Sequence, residues 1–331
     1  MTTEMPPMED SADPGNDVAS ALSETRLDIP FTAVNVITTA LACVLPFFYY
    51  SRSSMIAFLV FYTVTGLGLT LGYHRLFAHK AFQVPKWLEH TIALCGYLAI
   101  QRGPIFWCAM HRMHHRHTDI PGRDPHTPNE GLLHVHFGWM QRRRRDVWEQ
   151  VIYRRWTPDL MRDPFYVRLD DQRFDYFAYL LLVSLSYVAG GLVGAAFSPT
   201  GAFDRHNAMC FLVWVGVLNR VAILHAFGLI NSACHIIGSR PYSTHGADSS
   251  VNNAVVAFLI FGEGWHNNHH AFPTSARQGL QWYQWDPAWY AIWLLTTVGL
   301  ASNVQLPTEL ALQRAASKAD GPLPTGSHSP R

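Results

Sequence analysis

Four long runs of apolar residues dominate the pattern of hydrophobic and polar positions along this 331-residue chain. They cover Phe31–Tyr50, Ser54–Tyr73, Tyr176–Phe197 and Met209–Ile230, and the first three contain no charged residue. As a helix, each run of about 20 residues matches the thickness of the hydrocarbon core of a bilayer. A single run would be equally consistent with a buried helix of a soluble protein. Four runs in two short-looped pairs predict an all-α integral membrane protein with four transmembrane helices.

The distribution of basic residues predicts the orientation of these helices. Residues 74–175 contain sixteen of the twenty-five Lys and Arg residues, including Arg142–Arg145, whereas the two opposite loops contain one each, Arg52 and Arg205. Positively charged loops stay on the cytoplasmic side. We therefore expect both termini, residues 74–175 and everything after Ile230 to face the cytoplasm.

The polar ends of the chain predict a single folded domain between two tails. We expect disordered tails at 1–28 and 306–331, and a domain at 29–305 whose cytoplasmic cap is formed by 74–175 and 231–305. The first 28 residues are polar and acidic, which is not typical of a signal peptide. The net charge of +1 gives no indication of nucleic-acid binding, and the five scattered cysteines suggest reduced thiols.

Histidine is the unusual residue, because nine of the eighteen histidines form spaced groups on one predicted side of the membrane. Residues three and four apart share one face of a helix, so two His-x-x-His-His triplets can each present three imidazoles to one small volume. The first pair is five residues apart, about 140° around an α-helix, which predicts either different metals or a distorted helix. The nine are His74, His79, His111, His114, His115, His235, His266, His269 and His270.

Nine grouped imidazoles predict a metal centre with two ions at four or five ligands each. Imidazole suits iron, copper, zinc and nickel. A structural zinc site commonly includes cysteine, and the chain has no Cys-x-x-Cys motif. A dinuclear centre beside a membrane suggests activation of a small oxidant such as dioxygen against a lipid. The spacing itself leaves iron and zinc both open.

At these residues the sequence resembles the membrane-bound fatty acyl desaturases, specifically the acyl-CoA Δ9 (stearoyl-CoA) type. The resemblance covers roughly residues 55–285. The three histidine boxes also occur in hydroxylases, whereas the elements around His235 and His266 are more specific to desaturases. The matching segments are Gly72–His79, His111–His115, Asn231–His235, Arg240–Tyr242 and Gly262–Pro273.

The resemblance implies a four-helix membrane enzyme with two iron ions bound by the nine histidines. It implies that Asn231 holds a water on one metal and that no further catalytic side chain is needed. The implied reaction uses O₂ and two electrons to place a cis double bond, at Δ9, in a saturated acyl chain of an acyl-CoA or acyl-lipid. Because no electron-carrier motif is present, the donor would be a ferredoxin-, rubredoxin- or cytochrome-type protein with its reductase.

An acyl chain has no polar group near the reacting carbons, so we expect a bent apolar tunnel to position it. By motif position, Gln101 and Trp107 match family residues that line the bend. Carboxylates commonly orient ligating imidazoles, and the nearest candidates in the sequence are Asp119, Asp124 and Glu263.

Three departures from the family pattern leave the substrate open. Ala109 and the pair Asn129–Glu130 replace basic residues that help to hold CoA in animal members, so the carrier could be CoA, a carrier protein or a phospholipid. Phe227 and Gly228 stand where a Thr-Trp pair is usual, which changes the predicted tunnel wall and leaves chain length and double-bond position open.

Two alternative functions remain at this point. A di-iron lipid or alkane hydroxylase would share the iron, the oxygen and the topology. A membrane metal carrier would need ligands near the bilayer midplane, where only His225 lies. The favoured location is a bacterial inner membrane, with the active site facing the cytoplasm and the substrate drawn from the lipid bilayer.

Overall fold

The computed structural model describes residues 25–143 and 148–319, and nearly all of its regular structure is helical. The four predicted spans correspond to four helices that are long and apolar enough to cross a membrane. These are α1 (Ile29–Phe47), α2 (Arg52–Ala78), α8 (Gln172–Ala196) and α9 (Arg205–His235). The prediction of an α-helical protein with four membrane spans is therefore confirmed, with bounds that differ by a few residues.

The remaining α-helices are shorter and lie between α2 and α8 or after α9. They are α3 (Lys86–Tyr97), α4 (Pro104–His117), α5 (Leu132–His136), α6 (Arg154–Trp156), α7 (Pro164–Leu169), α10 (Ala254–Leu259), α11 (His266–Ala271), α12 (Pro287–Thr297) and α13 (Glu309–Ala319). Two apolar stretches that are too short or broken to cross, Trp87–Trp107 and Ala254–Phe261, accordingly form α3, the start of α4, and α10.

Polar residues at the ends of the apolar runs determine where the spanning helices begin. The side chain of Asp28 accepts a hydrogen bond from the backbone N–H of Phe31, and Asp204 does the same for Asn207. Ser51 and Ser54 form a reciprocal capping box at the start of α2. Such caps satisfy backbone donors that the first helical turn leaves free.

α9 is the central span. Two thirds of its most apolar window is buried, whereas α1 and α8 bury only 17 % of theirs and expose leucine and isoleucine side chains. This arrangement explains how Arg220 is tolerated within a span. Its guanidinium donates hydrogen bonds to Thr38 (2.9 Å) and Asn35 (2.6 Å) of α1 and does not face the outer surface.

α2 changes from α-helix to π-helix over its last eleven residues, Gly68–Ala78. The change begins where α2 meets α3, and a Cβ atom at Gly68 would lie 2.2 Å from the backbone nitrogen of Gly96. The lack of a side chain at Gly68 therefore allows the two backbones to touch. The contact places the end of α2, with its histidines, beneath α4.

The folded region extends beyond both predicted domain boundaries. Arg26–Leu27 (β1) pairs with Arg142–Arg143 (β2) in a short antiparallel ladder. At the other end α13 continues to Ala319, and the carbonyl of Ala315 accepts a hydrogen bond from the backbone N–H of Ser243. β1 and α13 therefore lie within the segments that we expect to be tails. Residues 1–24 and 320–331 of the predicted tails, together with Arg144 and Arg145 of the basic run, lie outside the described residues.

Candidate metal centre

The nine histidines predicted from the sequence come together at one end of the helix bundle in two clusters. The five-histidine cluster contains His74, His79, His111, His115 and His269, and the four-histidine cluster contains His114, His235, His266 and His270. Within each cluster one ring nitrogen of every residue lies within 4.8 Å of the others. These numbers agree with the prediction of two ions with four or five ligands each.

The two triplets divide between the clusters, which differs from the expectation that each would serve one small volume. On α4, His111 and His115 belong to the five-histidine cluster and His114 to the other. On α11, His266 and His270 belong to the four-histidine cluster and His269 to the other. Residues four apart thus share a cluster, while the third imidazole of each triplet turns to the neighbouring one.

The π-helical end of α2 brings His74 and His79 into the same cluster. The backbone N–H of His79 donates to the carbonyl of His74, five residues earlier, at 3.1 Å. This hydrogen-bond pattern defines a π-helix and places the two residues above one another, with ring centroids 4.9 Å apart. The sequence left open whether His74 and His79 serve different metals or lie on a distorted helix. The distorted helix is confirmed.

The Nε2 atoms of both clusters point inward and lie close together. In the five-histidine cluster, His79 and His111 approach to 2.7 Å, and His269 lies 2.8 Å from His115 and 3.0 Å from His74. In the four-histidine cluster the corresponding separations are 3.1 Å for His235–His266 and 3.3 Å for His114–His270.

Four buried carboxylates contact the opposite ring nitrogen, Nδ1, of four of these histidines. Each carboxylate accepts a hydrogen bond from one imidazole, which fixes the ring orientation and the tautomer. The pairs are His74–Glu263 (2.5 Å), His114–Asp124 (2.9 Å), His235–Asp119 (3.0 Å) and His270–Asp248 (2.9 Å). The structure thus brings all three carboxylates proposed from the sequence to ligand histidines.

Asp248 was missed because it lies in the irregular segment between His235 and α10, where no motif or periodicity marks it. Its Oδ1 atom accepts the backbone N–H of Ser250. An aspartate that bonds the backbone two residues ahead is a recognisable local signal, but the same signal marks ordinary turns.

The hydrogen bonds that Nδ1 donates to the carboxylates indicate whether the clusters fit metal ions. A neutral imidazole that donates from Nδ1 carries a lone pair on Nε2. His114 and His270 both donate from Nδ1, to Asp124 and Asp248, so two lone pairs face one another at 3.3 Å. Facing lone pairs repel unless a cation lies between them. The residues therefore fit divalent metal ions that prefer imidazole.

Four of the buried histidines are held in the neutral form that binds metal. Burial and the neighbouring imidazoles lower the pKa values of His111, His115, His266 and His269 well below the usual range. Burial alone would raise the pKa of Asp124, but contact with His114 lowers it. Neutral imidazole and ionised carboxylate are the protonation states that metal binding requires.

The predicted substrate residues line a small cavity beside the five-histidine cluster. Its wall includes one residue of the five-histidine cluster, His111, and Asn231, the residue expected to hold a metal-bound water. Trp107 stacks on His111 at 5.1 Å and packs against Phe227 at 6.3 Å. The other residues of the wall are Gln101, His126, His136, Trp139, Met140, Leu224 and Gly228.

A second opening reaches the clusters from a different set of residues. This cleft includes His115 from the five-histidine cluster and His270 from the four-histidine cluster. The exposed residues Arg116, Ile120 and His245 also line it. We refer to it as the polar cleft. Both clusters can therefore be approached without passing through the cavity.

The family model of fatty acid desaturases matches residues 53–297, which contain both clusters and both openings. The chain belongs to the fatty acid desaturase family. It is therefore an oxidoreductase that introduces a double bond into fatty acyl chains, and the resemblance described above is confirmed.

Three proteins with related sequences are desaturases of lipid-bound acyl chains by name. The enzyme is 41 % identical to Delta-9 acyl-lipid desaturase 1 of Arabidopsis thaliana, over 88 % of each chain. It is 42 % identical to the sn-1 stearoyl-lipid 9-desaturase of Anabaena variabilis, over 76 % of this chain and 83 % of that one. It is 40 % identical to the sn-2 palmitoyl-lipid 9-desaturase of Nostoc sp. (strain 36), over 80 % and 86 %.

Proposed function

We propose that the enzyme introduces a cis double bond at the Δ9 position of a saturated acyl chain carried on a membrane lipid. It would use O₂, two electrons from a separate protein and two iron ions bound by the nine histidines. The observation that carries this proposal is the cavity, because its wall joins predicted acyl-binding residues to a histidine of the metal centre.

Each cluster would hold one iron ion, and Asn231 would complete the four-histidine site through a water. When bound, the iron supplies the oxygen-dependent oxidation that removes two hydrogens from the chain. The protein's own part is to aim the Nε2 atoms. Glu263, Asp119 and Asp248 hold the proton of Nδ1 on their partners and leave Nε2 free for the metal. Iron is favoured over zinc because zinc has no redox chemistry.

A lipid-bound acyl chain is the favoured substrate for two reasons. Ala109 and Asn129–Glu130 lack the positive charges that a CoA phosphate would require. The three relatives named above are acyl-lipid desaturases, and two of their names specify a 9-desaturase of a defined lipid position. The apolar chain would enter from the bilayer, with Trp107 and Phe227 holding it beside His111.

The electron donor would be an acidic one-electron carrier of the ferredoxin, rubredoxin or cytochrome type, and it would bind at the polar cleft. This opening includes a histidine from each cluster, so a bound carrier would be close to both ions. Its exposed lining carries one arginine, Arg116. Burial, Arg123 and Arg116 together lower the pKa of His117, which follows Arg116 on α4. Opposite charge would steer an acidic partner to this surface.

The basic residues of 74–175 support a cytoplasmic position for the metal centre, in the inner membrane of a bacterium. The deciding experiment for the function is expression in a host that lacks its own desaturase, followed by mass spectrometry of the recovered lipids. We expect loss of two hydrogens, with the double bond at Δ9 of acyl chains in intact lipids. Gain of one oxygen would indicate the hydroxylase alternative, and product confined to acyl-CoA would exclude a lipid substrate.

A further inference from the structure

His136 belongs to neither histidine cluster, yet it lines the same cavity as Gln101 and Trp107. It is the last residue of α5, a short helix of the cap whose Val135 is fully buried. Its own side chain is half-buried. The residue therefore reaches the cavity from the cap, whereas Phe227 and Gly228 reach it from α9.

The close approach of α5 to α9 depends on Gly228. A Cβ atom at this position would lie 2.5 Å from the carbonyl oxygen of His136 and 2.9 Å from its imidazole ring. Both distances are shorter than non-bonded contacts allow, so any side chain at 228 would displace α5. His136 thus occupies the volume that a side chain at 228 would fill.

Hydrogen bonds on both edges hold the imidazole of His136 in this place. The hydroxyl of Ser232 donates to the carbonyl of Gly228 at 2.8 Å, so its oxygen accepts from Nδ1–H of His136 at 3.0 Å. Nε2 of His136 is then an acceptor and receives Nδ1–H of His225, also at 3.0 Å. The two rings are nearly parallel, 5.3 Å apart.

The three residues that receive His136 form one face of α9. His225, Gly228 and Ser232 are spaced by three and four residues, which aligns them along the helix. His225 supplies a hydrogen-bond donor, Gly228 leaves space for the ring, and Ser232 supplies an acceptor. Because this arrangement fixes both the position and the tautomer of the ring, the wall formed by His136 is rigid.

We infer that His136 is a specificity-determining residue whose imidazole, seated against Gly228, forms the wall that fixes which carbons of the acyl chain lie beside His111. This inference rests on the proposed function and deepens it. A saturated chain has no polar group that could fix its position, so its position depends on where the cavity walls block or bend it. The fit of one methylene in an apolar site changes discrimination by roughly 10- to 200-fold.

The test compares four single variants by the ratio of positional isomers in their products, which does not depend on how much protein folds. His136→Ala removes the wall, His136→Leu keeps much of its volume without its hydrogen bonds, and Ser232→Ala removes the acceptor of Nδ1. His206→Ala, at the exposed start of α9, is the matched control. Double bonds are located by mass spectrometry of derivatised lipids.

We expect His136→Ala to raise the ratio of the second positional isomer to the main isomer roughly tenfold, the effect of one methylene of apolar fit. Ser232→Ala should give a smaller shift in the same direction, His136→Leu should remain nearer to the wild type than His136→Ala, and His206→Ala should leave the ratio unchanged. A wild-type ratio in both His136 variants and in Ser232→Ala would overturn the inference, while the proposed function would stand. A wild-type enzyme that forms no unsaturated lipid would instead overturn the proposed function itself.

Discussion

The backbone N–H of His79 donates to the carbonyl of His74 at 3.1 Å, and both imidazoles enter one cluster. In an α-helix these residues would point about 140° apart. The π-helical end of α2 therefore decides which histidines act together. Conversion of this segment to α-helix would remove one ligand from the five-histidine cluster.

This relationship predicts the iron content of histidine variants. His74→Ala, His79→Ala and the double variant should all lose the same ion, because both residues serve one site. His74→Ala combined with His235→Ala should lose both ions, since His235 belongs to the other cluster. Iron per purified protein, measured by mass spectrometry, checks this. Loss of both ions in the His74/His79 double variant, with one retained in each single variant, would contradict the assignment.

The activity of single ligand variants is a separate prediction. We expect His114→Ala and His269→Ala to abolish product formation while the protein still inserts into the membrane. Each removes one imidazole from a different cluster and leaves the apolar spans unchanged. Lipid analysis and membrane fractionation measure the two properties. Turnover like that of the wild type in either variant would refute its role as a ligand.

The carboxylates that contact the cluster histidines should strengthen metal binding without being essential for it. Asp248→Asn keeps the size of the side chain but removes the charge that holds His270, so we expect iron affinity to fall about 10- to 100-fold. A chelator titration measures this. Asp163→Asn is the matched control, because Asp163 contacts a histidine, His90, outside both clusters. An equal effect in both variants would argue against a special role for Asp248.

The stability of the metal-free protein should decrease as the pH falls below about 6.5, the usual histidine value. Burial and neighbouring imidazoles keep the pKa values of His111, His115, His266 and His269 well below that value in the folded state. As the pH falls, these rings bind protons in the unfolded chain before they do so in the folded protein, so acid favours unfolding. Their contribution is fully present above pH 6.5 and is lost progressively as the pH falls toward the folded values.

Thermal unfolding of chelator-treated protein in detergent, at several pH values between 8 and 5, measures this effect. The iron-loaded protein is the control, because bound metal excludes protons from Nε2 and stabilises the folded state. A melting temperature of the metal-free protein that stays constant or rises toward pH 5 would contradict the prediction.

Reversal of charge beside the polar cleft should weaken electron delivery without affecting the metal centre. We expect Arg116→Glu to lower the rate of turnover with an acidic protein donor. This decrease should be largest at low salt, because electrostatic steering depends on charge. Reduction by dithionite should be unchanged. Arg173→Glu, an exposed arginine at the start of α8, should behave like the wild type. Equal rates for both variants with the protein donor would exclude this docking surface.

The sequence alone predicted the membrane spans and all nine histidines of the two clusters, because long apolar runs and i, i+3, i+4 spacing are local signals. It left open whether His74 and His79 act together, since that depends on the π-helical end of α2, and it did not predict that each triplet divides between the two clusters. Asp248 escaped prediction because it lies in an irregular segment. The role of His136 depends on a contact with Gly228, ninety-two positions later in the chain, so no local pattern reveals it.

The four carboxylates that contact cluster histidines would carry four negative charges, while the nine imidazoles would bind metal as uncharged ligands. The charge of two divalent ions would thus be balanced by four carboxylates that do not coordinate them. Because buried charge is costly when it is not compensated, this separation would favour the divalent state of both ions. Each aspartate or glutamate replaced by its amide would then leave the centre with one unit of excess positive charge.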